Sequence, residues 1–265
     1  MPALRIALIC HAGERINREL VAGWLGSFAT LVAIVVIQEE RAVQIRRVRS
    51  EYRRVGFWRL LDVLAFRLYY RIFLAAADAE WERAEIARRR AAWTDVAGDC
   101  PVIVAKDPND AAVVRFLEEQ KPDMIVARCK WLLKKTVYGV PALGTYVLHP
   151  GICPQYRNSH GCFWALASGD LENVGLTLLR IDDGIDTGPI YGFFRYAFDP
   201  SRESHVRIQH RMVLENLDEI RDRLLEVAAR RAVVKSSVGK PSRNWGQPWL
   251  SAYLRWRRAA RRSAS

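Results

Sequence analysis

Apolar residues in this chain gather into short unbroken runs separated by stretches of helical spacing. RIALIC (5–10), TLVAIVVI (30–37), CPVIVA (100–105) and DMIVAR (123–128) are the clearest such runs. With no polar face between apolar positions, they predict parallel strands buried on both sides. INRELVAGWLGSF (16–28) and NDAAVVRFLEEQK (109–121) have helical spacing, and the Asp107-Pro108-Asn109-Asp110 start of the second suits N-terminal capping. TYVL (145–148) and VGLTLLRI (174–181) are further apolar runs, and SRESHVRIQHRMVLENLDEIRDRLLEVAARR (201–231) predicts one long amphipathic helix. The alternation predicts an α/β domain whose mostly parallel sheet is flanked by helices.

One region departs from this rhythm. EERAVQIRRVRSEYRR (39–54) is basic, VGFWRLLDVLAFRLYYRIFLAAA (55–77) is apolar on a wide face, and ADAEWERAEIARRR (77–90) carries opposite charges three and four residues apart. Together 39–95 reads as a helical insertion. Arg59, Asp62, Arg67 and Arg71 interrupt the apolar helix too often for a membrane span. Its apolar face either packs on the domain or on a second copy, or lies on a membrane surface with aromatic side chains at headgroup level. Packing is the expectation, and it would bury Phe57, Leu61, Leu64, Leu68 and Phe73.

The 265 residues suffice for one large core: a domain over 1–235 containing the insertion, then a basic, Trp-rich extension over 236–265. Net charge is +12, with basic residues concentrated at 41–54, 88–90 and 255–262. No nucleic-acid-binding module is recognisable, so nucleic acid is not the expected partner. Trp245, Trp249, Tyr253 and Trp256 are expected to pack. The five cysteines (10, 100, 129, 153, 162) form no C-x-x-C pair and suggest neither a disulfide framework nor a metal site. With no secretory signal in MPALRIALIC, a cytoplasmic protein is expected, with peripheral membrane contact or a homodimer left open.

Two stretches carry candidate chemistry. HPGICPQYRNSHG (149–161) starts where an apolar run breaks at His149-Pro150-Gly151, so its imidazole can face a cleft. LLRIDDGIDTGPI (178–190) places Asp186 between Gly184 and Gly188, where the backbone can approach a ligand closely. A His with a carboxylate partner moves protons at neutral pH. A structural His and a turn-capping Asp are the alternative.

These residues resemble the folate-dependent formyltransferase family, which includes methionyl-tRNA, glycinamide ribonucleotide and sugar N-formyltransferases. Its members carry Asn-x-His-Pro/Ala-x-x-x-Pro-x-Tyr/Phe-Arg/Lys-Gly and then Asp-x-Gly-x-Asp-x-Gly-Pro. Here the first reads Val147-Leu148-His149-Pro150-Gly151-Ile152-Cys153-Pro154-Gln155-Tyr156-Arg157-Asn158, and the second Asp183-Gly184-Ile185-Asp186-Thr187-Gly188-Pro189. The resemblance spans about 100–230 and implies a Rossmann-like fold. It also implies transfer of a formyl group from 10-formyltetrahydrofolate to a primary amine, such as an amino sugar or another small biosynthetic amine. His149 and Asp186 would be catalytic. The folate would lie against Arg128, Trp131, Leu132, Ile181, Asp182, Asp183 and Ile185, and the acceptor would face Tyr156, Arg157 and His160. Val147 stands where the family has its catalytic Asn, and Asn158, in place of the family Gly, is the candidate replacement amide. After the first strand, Cys10-His11-Ala12-Gly13-Glu14-Arg15 lacks the Gly/Ser/Asn-rich turn of members that bind a ribotide phosphate. Alternatives are a formyltetrahydrofolate hydrolase, in which water replaces the amine, transfer of a different one-carbon or acyl group, and a non-catalytic folate- or partner-binding relative.

Overall fold

The computed structural model of the chain describes residues 3–93 and 100–264, so Thr94 and Asp95, the end of the insertion, lie outside the described residues. The apolar runs become β1 (Arg5–His11), β2 (Thr30–Ile37), β3 (Val102–Ala105), β4 (Met124–Arg128) and β5 (Thr145–His149). They pair in parallel in the order β3-β2-β1-β4-β5. Between β6 (Arg157–Asn158) and β9 (Asn244–Trp245), which form a small parallel pair, β7 (Leu176–Arg180) and β8 (Ile190–Phe194) extend the main sheet antiparallel from β5. The result is α/β, with seven strands in the main sheet among the described residues. Alternate side chains of β1 and β4 enter two cores: Ile6, Leu8, Met124 and Val126 on one face, Ala7, Ile9, Ile125 and Ala127 on the other. That two-sided burial is why these strands show no polar alternation.

A π-helical turn over Ile16–Val21 leads into α1 (Ala22–Gly26). The insertion forms α2 (Arg41–Phe73), broken at Gly56 by a left-handed φ of 77°, and α3 (Ala75–Arg90). Then follow α4 (Ala111–Gln120), α5 (Lys135–Tyr138), α6 (Gly161–Ala167), α7 (His205–Leu214), α8 (Leu217–Ala228) and α9 (Leu250–Ala264). Trp256 and Tyr253 of α9 enter the main core, and Trp245 and Trp249 pack against it, stacked on or edge-on to Trp164 with ring centroids 4.8 Å apart. These aromatics pack, as expected.

Three expectations need correction. The helix expected over 201–231 is two, because the Asn216 side chain donates to the Met212 carbonyl (2.8 Å) and closes the first helix. Ser204, whose hydroxyl accepts from the Arg207 amide, begins it. Asp110 does not cap α4; the Asp107 carboxylate takes the Asn109 amide instead (2.8 Å). Finally, Phe57, Leu61, Leu64, Leu68 and Phe73 are 39–65% exposed in the single chain, so packing on the domain does not bury them. The helix buries Val63 and Phe66 instead, with Phe66 packed among Phe163, His205 and Tyr253. A helix apolar on two faces can offer either one, and α9 meets the narrower.

Candidate active site

Parallel strands place their loops at the carboxyl ends, and His149 ends β5 there. It is only 3% exposed. Its Nδ1 lies 3.3 Å from Asp186 Oδ2, and its Nε2 lies 2.7 Å from the Tyr156 carbonyl oxygen. A carbonyl only accepts, so Nε2–H donates to it; a second proton, on Nδ1, would complete the set toward Asp186. That arrangement suits an imidazolium–carboxylate pair. Asp186 Oδ2 also accepts the Asn158 amide at 2.7 Å, so one carboxylate ties the two loops together.

Glycines let the loops adopt this path. A Cβ on Gly188 would sit 1.9 Å from the Arg180 carbonyl oxygen, and one on Gly161 2.7 Å from the Gly151 Cα and the Pro150 and Tyr156 oxygens. From β7, the buried Thr177 hydroxyl donates to the Gly151 carbonyl (2.6 Å) and accepts the Cys153 amide (3.0 Å). The turn after His149 is thereby held from both ends.

A cleft of about 380 Å³ opens beside the pair, with Val147 and Asp186 in its wall. Of the seven residues expected on the donor side, Trp131, Leu132, Ile181, Asp182, Asp183 and Ile185 line it. Leu132 is 66% exposed, apolar surface available to a ligand. Sequence reasoning missed Tyr138, whose hydroxyl donates to Asp183 (2.5 Å), and Glu39, which accepts the Trp131 indole N–H (2.8 Å). Glu39 follows the carboxyl end of β2, a position where sites in such sheets form, and that was its available signal. Asp182 is folded inward onto the Gly184 amide and the Thr187 hydroxyl, which shapes the loop.

Several expected residues are placed otherwise. Arg128 is buried behind the site, its guanidinium donating to Asn17 (3.1 Å) and to the Leu148 carbonyl (2.5 Å), and it is not among the cleft residues. It supports the strand carrying His149. Tyr156 is also buried: its hydroxyl donates to Asp170 (2.8 Å) and its ring stacks on Trp245. Its backbone carbonyl, not its side chain, meets the site. Arg157 donates to the Ile185 carbonyl (3.1 Å) and holds the loop that bears Asp186. Asn158, in the left-handed region at φ 74°, turns one amide hydrogen to the Trp245 carbonyl (2.7 Å). His160 precedes α6, and its pKa is pushed down to about 3 by burial and then by the nearby cations Lys130 and Arg67. It is neutral at physiological pH.

The turn after β1 carries a carboxylate, Glu14, followed by Arg15. Burial works to raise the pKa of Glu14, but Lys130, Arg128 and His11 outweigh it and hold the carboxyl below its usual range. The first amide of the following helix, Ile16 N–H, donates to the Glu82 carboxylate from α3 (3.4 Å). The insertion thus puts its own anion at a helix start that could otherwise receive a phosphate.

A family model described as formyl transferase matches residues 77–218, more than half of the chain. A methionyl-tRNA formyltransferase from Syntrophus aciditrophicus is 31% identical over 157 residues, covering 58% of this chain and 46% of that protein. One from Kosmotoga olearia is 38% identical over 91 residues, covering 34% and 29%. The matches therefore reach less than half the length of these relatives. Among solved structures, a phosphoribosylglycinamide formyltransferase from Anaplasma phagocytophilum superposes with a TM-score of 0.54 at 13% identity, covering 93% of this chain and 100% of that one. A Shewanella sugar N-formyltransferase gives 0.52 at 13% identity, covering 92% and 76%. Both likenesses are of fold.

Proposed function

The chain belongs to the formyl transferase family, and from that premise we propose that it moves a formyl group from 10-formyltetrahydrofolate to the primary amine of a small molecule. The observation that carries this is the His149–Asp186 pair beside a cleft walled by the 181–186 loop and by Trp131 and Leu132. The pterin would lie in that cleft. The amine nitrogen attacks the formyl carbon, the C=O electrons move onto oxygen, and the tetrahedral oxyanion collapses with cleavage of the bond to the folate nitrogen. That nitrogen takes up a proton while the amine loses one. His149 as imidazolium stabilises the oxyanion, with its Nε2–H turning from the Tyr156 carbonyl to the ligand, and Asp186 holds its charge.

The Val147 side chain has no N–H or O–H to give the oxyanion. The second amide hydrogen of Asn158 is the proposed substitute. Asn158→Gly keeps the left-handed backbone and the amide held by Asp186 but removes the side chain. A fall of ~10²-fold in single-turnover transfer is expected; an unchanged rate would exclude Asn158 as a donor.

A phosphate-bearing acceptor is disfavoured by Glu14 and by Glu82 at the helix start. An amine without a phosphate at that end fits better. Competition among amines in a transfer assay tests this: acceptors with a terminal phosphate monoester should be the poorest, and preference for them would contradict it. The engagement of both His149 nitrogens by protein groups, together with Val147, favours one second reading, a folate-binding relative without transfer. Single-turnover chemistry with bound 10-formyltetrahydrofolate separates the two.

A further inference from the structure

We propose that the outward face of α2 docks onto an anionic lipid bilayer surface. Phe57, Trp58, Leu61, Leu64, Leu68 and Ile72 are all exposed, Trp58 at 81%. At helical spacing they fall within an arc of roughly 120°, centred roughly 170° from the buried Val63 and Phe66. The face that packs on the domain and the face left bare are thus opposite sides of one helix. Six large apolar side chains in one continuous stripe exceed what a solvated helix surface normally leaves uncovered.

Charge selects the occupant. Residues 41–73 contain nine arginines and two acids. Both acids are engaged within the chain, Glu51 by Arg54 (3.1 Å) and Asp62 by Arg59 (3.3 Å) and the Ser251 amide (2.9 Å). Arg46, Arg49, Arg53 and Arg71 are exposed, and Arg71 falls at the rim of the stripe. A second copy would bring the same surplus of positive charge against itself, whereas an anionic headgroup layer neutralises it. Phe57 and Trp58, side by side next to the break at Gly56, suit the boundary between headgroups and acyl chains. Among the described residues no helix is long and apolar enough to cross a membrane. The helix would therefore lie in the plane of the surface. The proposal is independent of the formyl-transfer reading.

Flotation of the full chain with vesicles tests it. Binding to vesicles of phosphatidylcholine with phosphatidylglycerol is expected, with little binding to phosphatidylcholine alone. Raising salt to about 1 M, where screening falls to ~3 Å, should weaken it more than ~10-fold. Trp58→Ser combined with Leu61→Ser should weaken it by a similar factor, and Arg71→Gln by roughly 5-fold. These residues are exposed, so the variants should unfold at the wild-type temperature, which a thermal melt checks. Failure to float, binding indifferent to lipid charge and salt, or binding unchanged in the variants would each overturn the proposal. So would a dimer in sedimentation velocity that the Trp58→Ser/Leu61→Ser pair dissociates, without vesicle binding.

Discussion

Asp186→Asn is expected to cut formyl transfer by ~10²–10³-fold, and His149→Ala by at least as much, with folate still bound. The Asp186 carboxylate is 3.3 Å from His149 Nδ1 and accepts the Asn158 amide at 2.7 Å. An amide at position 186 can still accept from Asn158, but it carries no charge to balance an imidazolium. The loss falls on the step in which oxygen becomes negative, not on donor binding, because Trp131, Leu132, Ile181 and Ile185 remain in the cleft. Single-turnover rates beside a folate titration separate these terms. Wild-type turnover in either variant would remove the pair from the mechanism, and equal loss of folate binding would make its role structural. His149→Ala also leaves the Tyr156 carbonyl without its donor, so its melting temperature belongs beside its rate.

Gly161→Ala is expected to destabilise the fold by roughly 2–4 kcal/mol and to depress transfer with it. The added methyl would meet three backbone atoms at 2.7 Å, the Gly151 Cα and the Pro150 and Tyr156 oxygens, and none can step aside as a flexible side chain could. The Tyr156 oxygen is the one that receives His149, so strain introduced there reaches the imidazole directly. Gly13→Ala provides the comparison: a Cβ there meets nothing within 4 Å, and its effect should stay within about 0.5 kcal/mol. Urea unfolding of the two variants decides the matter. Equal midpoints would mean that the loop yields freely and that Gly161 is not a packing requirement.

The buried strands were legible because burial on both faces leaves an unbroken apolar run, and TLVAIVVI has the bounds of β2, Thr30–Ile37. The break at Asn216 was not, since apolar spacing continues across it from Met212 and Val213 to Leu217 and Ile220. Which face of α2 would be buried could not be read from a helix apolar on two sides, because α9, distant in sequence, makes the choice. At the site, Gly and Pro marked the loops around His149 and Asp186, whose meeting follows from β5 pairing with β7. Arg128 and Tyr156 were misplaced for a common reason. Motif position brings a residue to the neighbourhood, while side-chain direction depends on partners such as Asn17 and Asp170. Glu82 reaches Ile16 from a helix beyond the reach of any local pattern.

The most direct test mixes the purified chain with 10-formyltetrahydrofolate and a panel of small amines, including amino-sugar nucleotides, and follows formylated amine and released tetrahydrofolate by mass spectrometry. Stoichiometric appearance of both products is expected with at least one amine, and loss of both in Asp186→Asn. Release of formate and tetrahydrofolate with no formylated amine would indicate a hydrolase. Bound folate that stays intact with every amine would contradict catalysis altogether.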